Sequence, residues 1–204
     1  MSVKIIEPSA ALYGHTVDAY GQIEWAARHS TRTTDKCTGA EFIRNLINMG
    51  HMTPLRFATA TFTITSDRGV IDEFRAHQHA DFVVESTRYC GYDKERFGGE
   101  LEFIQPPFSD NDHLIAWHDL GRRAEKTYLN MRRDGCTPEF ARSVLPLSIA
   151  CRCAIHANFQ EWRHILSLRL APSAHPQIRP VMAMVMAIFR ERWPVIVEDL
   201  EVAK

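Results

Sequence analysis

Five consecutive residues, Glu85-Ser86-Thr87-Arg88-Tyr89, bring together groups that can hold an anion. A serine hydroxyl beside backbone N–H groups can donate to a phosphate. Arg88 presents a planar fork that fits a phosphate or a ring carbonyl. The plain alternative is that Arg88 forms a structural ion pair and Tyr89 is core. Two more arginines stand where a ligand could meet them. Arg142, in Ala141-Arg142-Ser143-Val144-Leu145-Pro146, lies a turn ahead of a proline break, although a lone helical arginine is commonly solvated or snorkelling. Arg169 follows the apolar Ile165 and Leu166 at helical spacing, so it points towards the interior side of its helix. A buried arginine needs an anionic or carbonyl partner.

The histidines suggest binding more than metal chemistry. His51-Met52-Thr53-Pro54 sits at a helix–strand junction, where a loop histidine and hydroxyl can reach a ligand; a capped turn is the simpler account. His77 and His79, read as part of a helix, do not share a face, and no third ligand of suitable spacing stands nearby. Cys151-Arg152-Cys153 falls short of the four ligands a zinc site wants. No metal is expected. None of the five cysteines sits in a convincing cysteine–histidine setting for a nucleophile.

These residues must be carried by a helix-rich scaffold. Thr38 and Glu41 form a capping box for a helix over about 39–49. Residues 58–65 alternate Ala58, Ala60, Phe62, Ile64 against threonines, the pattern of a strand with one buried face. Asp67-Arg68-Gly69 reads as a turn before a helix to about Ala80, and 81–99 as an ordered loop. Leu101 to Ile104 reads as a short strand. Ser109 and Asp112 cap a long helix to about Arg133. Pro138 starts another helix. Asn158 and Glu161 cap a helix through Leu170, and His175-Pro176 opens the last, with Val181, Val185 and Phe189 inward.

The length, 204 residues, suits one domain with its own core. The hydrophobic content of 45% and charged content of 24% are ordinary for a globular protein. With a formal net charge of -1, no basic excess points to a nucleic-acid polymer. The odd cysteine number reads as free thiols. No stretch approaches the ~20 apolar residues of a membrane span and no leader is evident, so a cytoplasmic protein is expected.

The run Glu85-Ser86-Thr87-Arg88-Tyr89-Cys90, with Tyr92, Lys94, Phe97 and Gly98-Gly99 after it and His77 before it, resembles the signature region of the flavin-dependent thymidylate synthases. Gly50-His51-Met52-Thr53, Ala141-Arg142 with Leu145-Pro146, Asn158, His164, Arg169 and Ser30 match other segments of that family, over roughly 24–195. The resemblance implies an α+β domain spanning 1–204, a small central sheet flanked by helices, and a homotetramer with interfacial active sites. It implies C5 methylation of a uridine nucleotide, dUMP to dTMP or UMP to 5-methyl-UMP. FAD would be the cofactor, with 5,10-methylenetetrahydrofolate as carbon donor and NADPH as reductant. Arg169 would be the catalytic ring polariser. Glu85, Ser86, Thr87, Arg88, Arg142 and Arg169 would hold the nucleotide. Ser30, His51, Thr53, His77, Gln78, His79, Asn158 and His164 would hold flavin or folate.

The chain departs from the family at four places. Ala76, Gln78 and Gln160 stand where the family usually has arginine, and Arg56 where glutamate often stands. A charged hydrogen bond contributes ~1.5–3 kcal/mol, so Arg56, Arg75 or Arg163 is expected to take over part of that grip. Two alternatives stand beside the main reading: a UMP-preferring methylase of specialised metabolism, and an inactive nucleotide- or flavin-binding homologue.

Overall fold

The computed structural model describes residues 3–34 and 38–200. In chain order the elements are β1 (Lys4–Ile5), β2 (Ser9–His15), α1 (Ala19–Arg28), α2 (Ala40–Asn48), β3 (Thr59–Asp67), α3 (Arg68–Phe74), β4 (Ala80–Val84), β5 (Glu102–Phe103), α4 (Asn111–Arg133), α5 (Pro138–Ala141), β6 (Ala150–Asn158), α6 (Phe159–Arg169), α7 (Ile178–Arg192) and α8 (Pro194–Val197). The mixture of small sheets and helices is the α+β class expected. The chain packs into two compact units. The first comprises Met1–Ser9, Thr65–Arg75 and Val83–Cys153; the second comprises Ala10–Ile64, Ala76–Phe82 and Ala154–Lys204.

The second unit is built on a sheet of order β2-β3-β6-β4, whose strands β3, β4 and β6 run on in sequence into the first unit. The alternation in β3 buries Ala60, Phe62 and Ile64, as its pattern requires. Phe62 meets Trp162 edge-on at 4.9 Å and stacks with Phe189 at 5.9 Å, and the Trp162 indole N–H donates to the Ala60 carbonyl at 2.9 Å. The expected inward residues of α7, Val181, Val185 and Phe189, are fully buried.

The first unit has a core of Val3, Tyr92, Leu101, Phe103, Tyr128, Ala141 and Ile149. β1 and β5 pair in parallel, Lys4 with Glu102 and Ile5 with Phe103. Gly121 lets α4 approach: a Cβ there would stand 3.0 Å from Val3 Cγ1.

Several local expectations are corrected. Gly39, not Thr38, caps α2, and it has no side-chain cap bond. Thr38 is instead drawn to Glu24, which accepts its backbone N–H at 2.8 Å and its hydroxyl at 2.9 Å. Asp110, not Ser109, caps α4, accepting from Asp112 and His113. α3 ends at Phe74, so His77 and His79 lie in a turn, and β4 occupies part of the expected loop. β2 and β6 are additional strands. Cys90, Cys136, Cys151 and Cys153 are free thiols, as expected; Cys37 lies outside the described residues. Among the described residues, no helix is long and apolar enough to cross a membrane.

Glu24 is 2% exposed. Burial opposes its charge, but the N–H groups of Thr38 and Gly39 and the Arg28 guanidinium outweigh that and hold its carboxyl below the usual 4.5. Its stabilisation is therefore complete above that value and is lost as pH falls through the lower folded value. Glu24→Ala, which strands buried Arg28, is expected to lower unfolding free energy by about 3–5 kcal/mol. Urea unfolding at neutral pH checks this. An unchanged midpoint would show the cluster to be energetically idle.

Candidate active site

The structure gathers polar residues into one group in each unit. In the first unit, β4 delivers Glu85 to the edge of β6, where its N–H donates to the Arg152 carbonyl at 2.8 Å. The next residues close a turn: the N–H groups of Tyr89 and Cys90 donate to the Ser86 carbonyl at 3.1 and 2.9 Å, and the Arg88 N–H donates to the Ser86 hydroxyl at 3.3 Å. The Glu85 carboxylate accepts from the Tyr92 hydroxyl at 2.8 Å and from Arg152 at 3.3 Å. Burial, then Glu85, pushes the Tyr92 phenol well up, so it stays a proton donor. Glu85 is thus engaged in bracing the turn.

Thr87 is buried, and Arg142 donates to its hydroxyl at 3.4 Å. Both line a cleft of about 610 Å³ with Arg68, Glu139 and Ser143. Arg88 pairs with Glu139 at 2.9 Å, both half-exposed; such a pair is worth little and exchanges readily for a ligand. Tyr89 is 74% exposed, so the alternative that put it in the core fails, although the ion pair which that alternative gave Arg88 is present. Arg68 is an addition. It sits at the start of α3 and donates to the Glu85 carbonyl at 3.2 Å and to Cys151 Sγ at 3.1 Å. Its only sequence signal was a charged residue in an expected turn.

In the second unit, Asn158 caps α6 by accepting the Glu161 N–H at 2.9 Å. The helix carries Trp162, Ile165 and Leu166 into the core, with Glu161 also buried, Arg169 part-buried and His164 exposed. His77 comes from the turn before β4. Its Nε2 accepts from Arg169 Nε at 3.0 Å, its Nδ1 lies 3.5 Å from Glu161 Oε1, and its ring meets His164 edge-on at 5.7 Å. Arg169 is part-buried, and its acceptor here is the imidazole of His77 where an anionic or carbonyl partner was expected.

His79, Asn158, Glu161 and His164 also line a cleft of about 290 Å³ with Arg56 and Gln160. Arg56 donates to the Gln160 side-chain oxygen at 2.8 Å. Ser30 donates to the Ala27 carbonyl at 2.9 Å; Ser30, His51, Thr53 and Gln78 are exposed and line none of these clefts. Arg163 is committed elsewhere, donating to Asp199 at 2.6 Å and to the Ile196 carbonyl. Exposed Arg75 pairs with Asp72 at 3.6 Å.

The premise that no third metal ligand stands near His77 is corrected. Ligand atoms of His77, Glu161 and His164 lie within 4.8 Å of one another. The Arg169 guanidinium already occupies His77 Nε2, and a fixed cation beside the trio opposes a metal ion.

The family model described as thymidylate synthase complementing protein matches residues 11–195. The chain belongs to that family. The flavin-dependent thymidylate synthase of Corynebacterium diphtheriae is 27% identical over 90% of this chain and 80% of its own. The flavin-dependent thymidylate synthase of Synechocystis is 23% identical over 98% and 97%. Among solved structures, the UMP/dUMP methylase PolB from Streptomyces cacaoi, bound with 5-Br dUMP, shares the fold with a TM-score of 0.80 over 96% of each chain at 21% identity. The same methylase bound with 5-Br UMP gives 0.79.

Burial, with Arg169 and His164 beside it, pushes the His77 imidazole down from 6.5 to about 4. Between those values the unfolded chain binds a proton that the folded chain refuses, so stability falls as pH drops through that window. The loss attributable to His77 is about 3 kcal/mol. His77→Gln is expected to flatten the limb between pH 7 and pH 5, read by urea unfolding at both. Equal slopes in the two proteins would contradict a buried neutral imidazole.

Proposed function

We propose that this protein methylates C5 of a uridine nucleotide, dUMP, UMP or both, in a flavin-dependent reaction. Methylenetetrahydrofolate is the carbon donor and NADPH the reductant. The observation that carries the reading is the family match from residue 11 to 195, a single span that contains both side-chain groups and supports treating the chain as one functional domain. The relatives' names supply the flavin, and the name of the PolB structures supports keeping both sugars as candidates.

The donor set fits the cofactor. Arg56, His79 and His164 line one cleft, and cationic and imidazole donors suit a diphosphate and a heteroatom-rich ring. Asn158, His51, Thr53, Ser30 and Gln78 complete the flavin and folate side of the proposal, and His77, buried with its Nε2 taken by Arg169, backs that side without touching the ligand. When bound, the reduced flavin supplies hydride and mediates transfer of the one-carbon unit. The protein's own residues bind and polarise. Arg142, Ser86 and Arg88 hold the nucleotide phosphate and ring, Thr87 seats Arg142, and Glu85 braces the turn. Arg169 draws electron density from a uracil carbonyl as charge develops, which is where a fixed donor contributes most. The exposed apolar side chains Tyr13, Val17, Val83, Tyr89 and Phe140 support assembly into a homotetramer that completes the sites.

The test is product mass after incubation with FAD, NADPH, methylenetetrahydrofolate and either nucleotide. A gain of one methyl is expected, and Arg169→Gln is expected to lower kcat about 100- to 1,000-fold. No product from either nucleotide, with flavin bound, would overturn the reading. Of the arginines that could replace the family's, Arg56 is the one beside Gln160. Arg56→Ala is expected to weaken flavin binding about 10-fold or more, measured by fluorescence titration of apoprotein. Unchanged affinity would remove Arg56 from the cofactor's grip.

A further inference from the structure

His77 and Glu161 are 4% and 6% exposed. Burying two polar side chains is costly unless their polar atoms are matched. Their matching has a direction. Arg169 Nε donates to His77 Nε2 at 3.0 Å, and arginine offers no acceptor, so Nε2 carries no proton. A neutral imidazole then carries its proton on Nδ1, the nitrogen that faces the Glu161 carboxylate at 3.5 Å. Burial, Arg169 and His164 all oppose a second proton on the ring.

We infer that Glu161 and His77 are positioning residues for Arg169: Glu161 sets the tautomer of His77, and the unprotonated Nε2 of His77 fixes the guanidinium plane. The inference rests on the reading of Arg169 as the group that polarises the nucleotide ring. An arginine side chain has several rotatable bonds, and ordering them on binding costs conformational entropy. A guanidinium already held in one orientation does not spend binding energy on being ordered, and it meets the developing charge without reorganising. The opposite tautomer would turn an N–H against an N–H. Asn158 contributes at one remove, because its cap sets the first turn of α6 and with it the height of Glu161. His164, against the other side of the imidazole, limits its tilt.

The experiment combines kinetics with nuclear magnetic resonance on protein carrying 15N-labelled histidine. Wild-type His77 is expected to show the Nδ1–H tautomer at neutral pH; an Nε2–H or doubly protonated ring would overturn the inference without any variant. Glu161→Leu is expected to lower kcat about 10- to 100-fold while nucleotide KM moves less than about 3-fold, and to mix the His77 tautomers. Glu161→Gln retains an acceptor for Nδ1–H and is expected to recover most of kcat and the wild-type tautomer. Wild-type kcat in folded Glu161→Leu, with Arg169→Gln crippled, would refute the relay alone. Full activity of Arg169→Gln would refute the reading of Arg169 instead.

Discussion

One hydrogen bond, from the Glu161 N–H to the Asn158 side chain at 2.9 Å, sits where the second unit changes from strand to helix. β6 ends at Asn158 and α6 begins at Phe159, with no residues between. A strand alternates faces every residue and a helix every three to four, so the register at this junction decides which side chains enter the core. As capped, Phe159, Trp162, Ile165 and Leu166 go inward, and Glu161, His164 and Arg169 are left for chemistry. A slip of one residue would rotate Trp162 by about 100° and separate Glu161 and Arg163 from the partners that match their buried charges. The aromatic core and the polar group are two consequences of one cap.

Magnitudes separate the arginines that hold the fold from those that can meet a ligand. Arg163 on α6 holds Asp199, beyond α8, through a pair of bonds, with Arg163 buried, and breaking such a pair leaves an uncompensated charge costing several kcal/mol. Arg88 and Glu139 are half-exposed on both sides, where the median worth is about 0–1 kcal/mol. Arg142 reaches Thr87 at 3.4 Å, a long hydrogen bond that a phosphate oxygen can outcompete. The first unit therefore presents cations that are placed but cheaply released.

Legibility followed the range of the interactions. The alternation Ala60, Phe62, Ile64 and the helical spacing of Val181, Val185 and Phe189 are local, and the structure buries them as read. β6 had an equally plain alternation, with Cys151, Cys153, Ile155 and Ala157 inward, but the two cysteines drew attention as a ligand pair and the strand was missed. Thr38 was misread because a buried carboxylate fourteen positions earlier outbid its role as a cap. The contact between His77 and Arg169 spans 92 positions, and no periodicity encodes it. The same distance hid the trio of His77, Glu161 and His164 until the fold assembled it.

Two of the positions expected to depart from the family pattern, Arg56 and Gln160, touch each other. The Gln160 side-chain oxygen accepts from Arg56 Nε at 2.8 Å. An arginine at 160 would offer only donors and a second positive charge, so Arg56 could not sit against it. Gln160 is therefore the acceptor that orients the cation supplied from the turn before β3. Ala76 and Gln78, neutral on either side of His77, act in the same direction. Flanking guanidinium groups would compete with Arg169 for His77's surroundings, and with neutral side chains there Arg169 is the cation that donates to the imidazole.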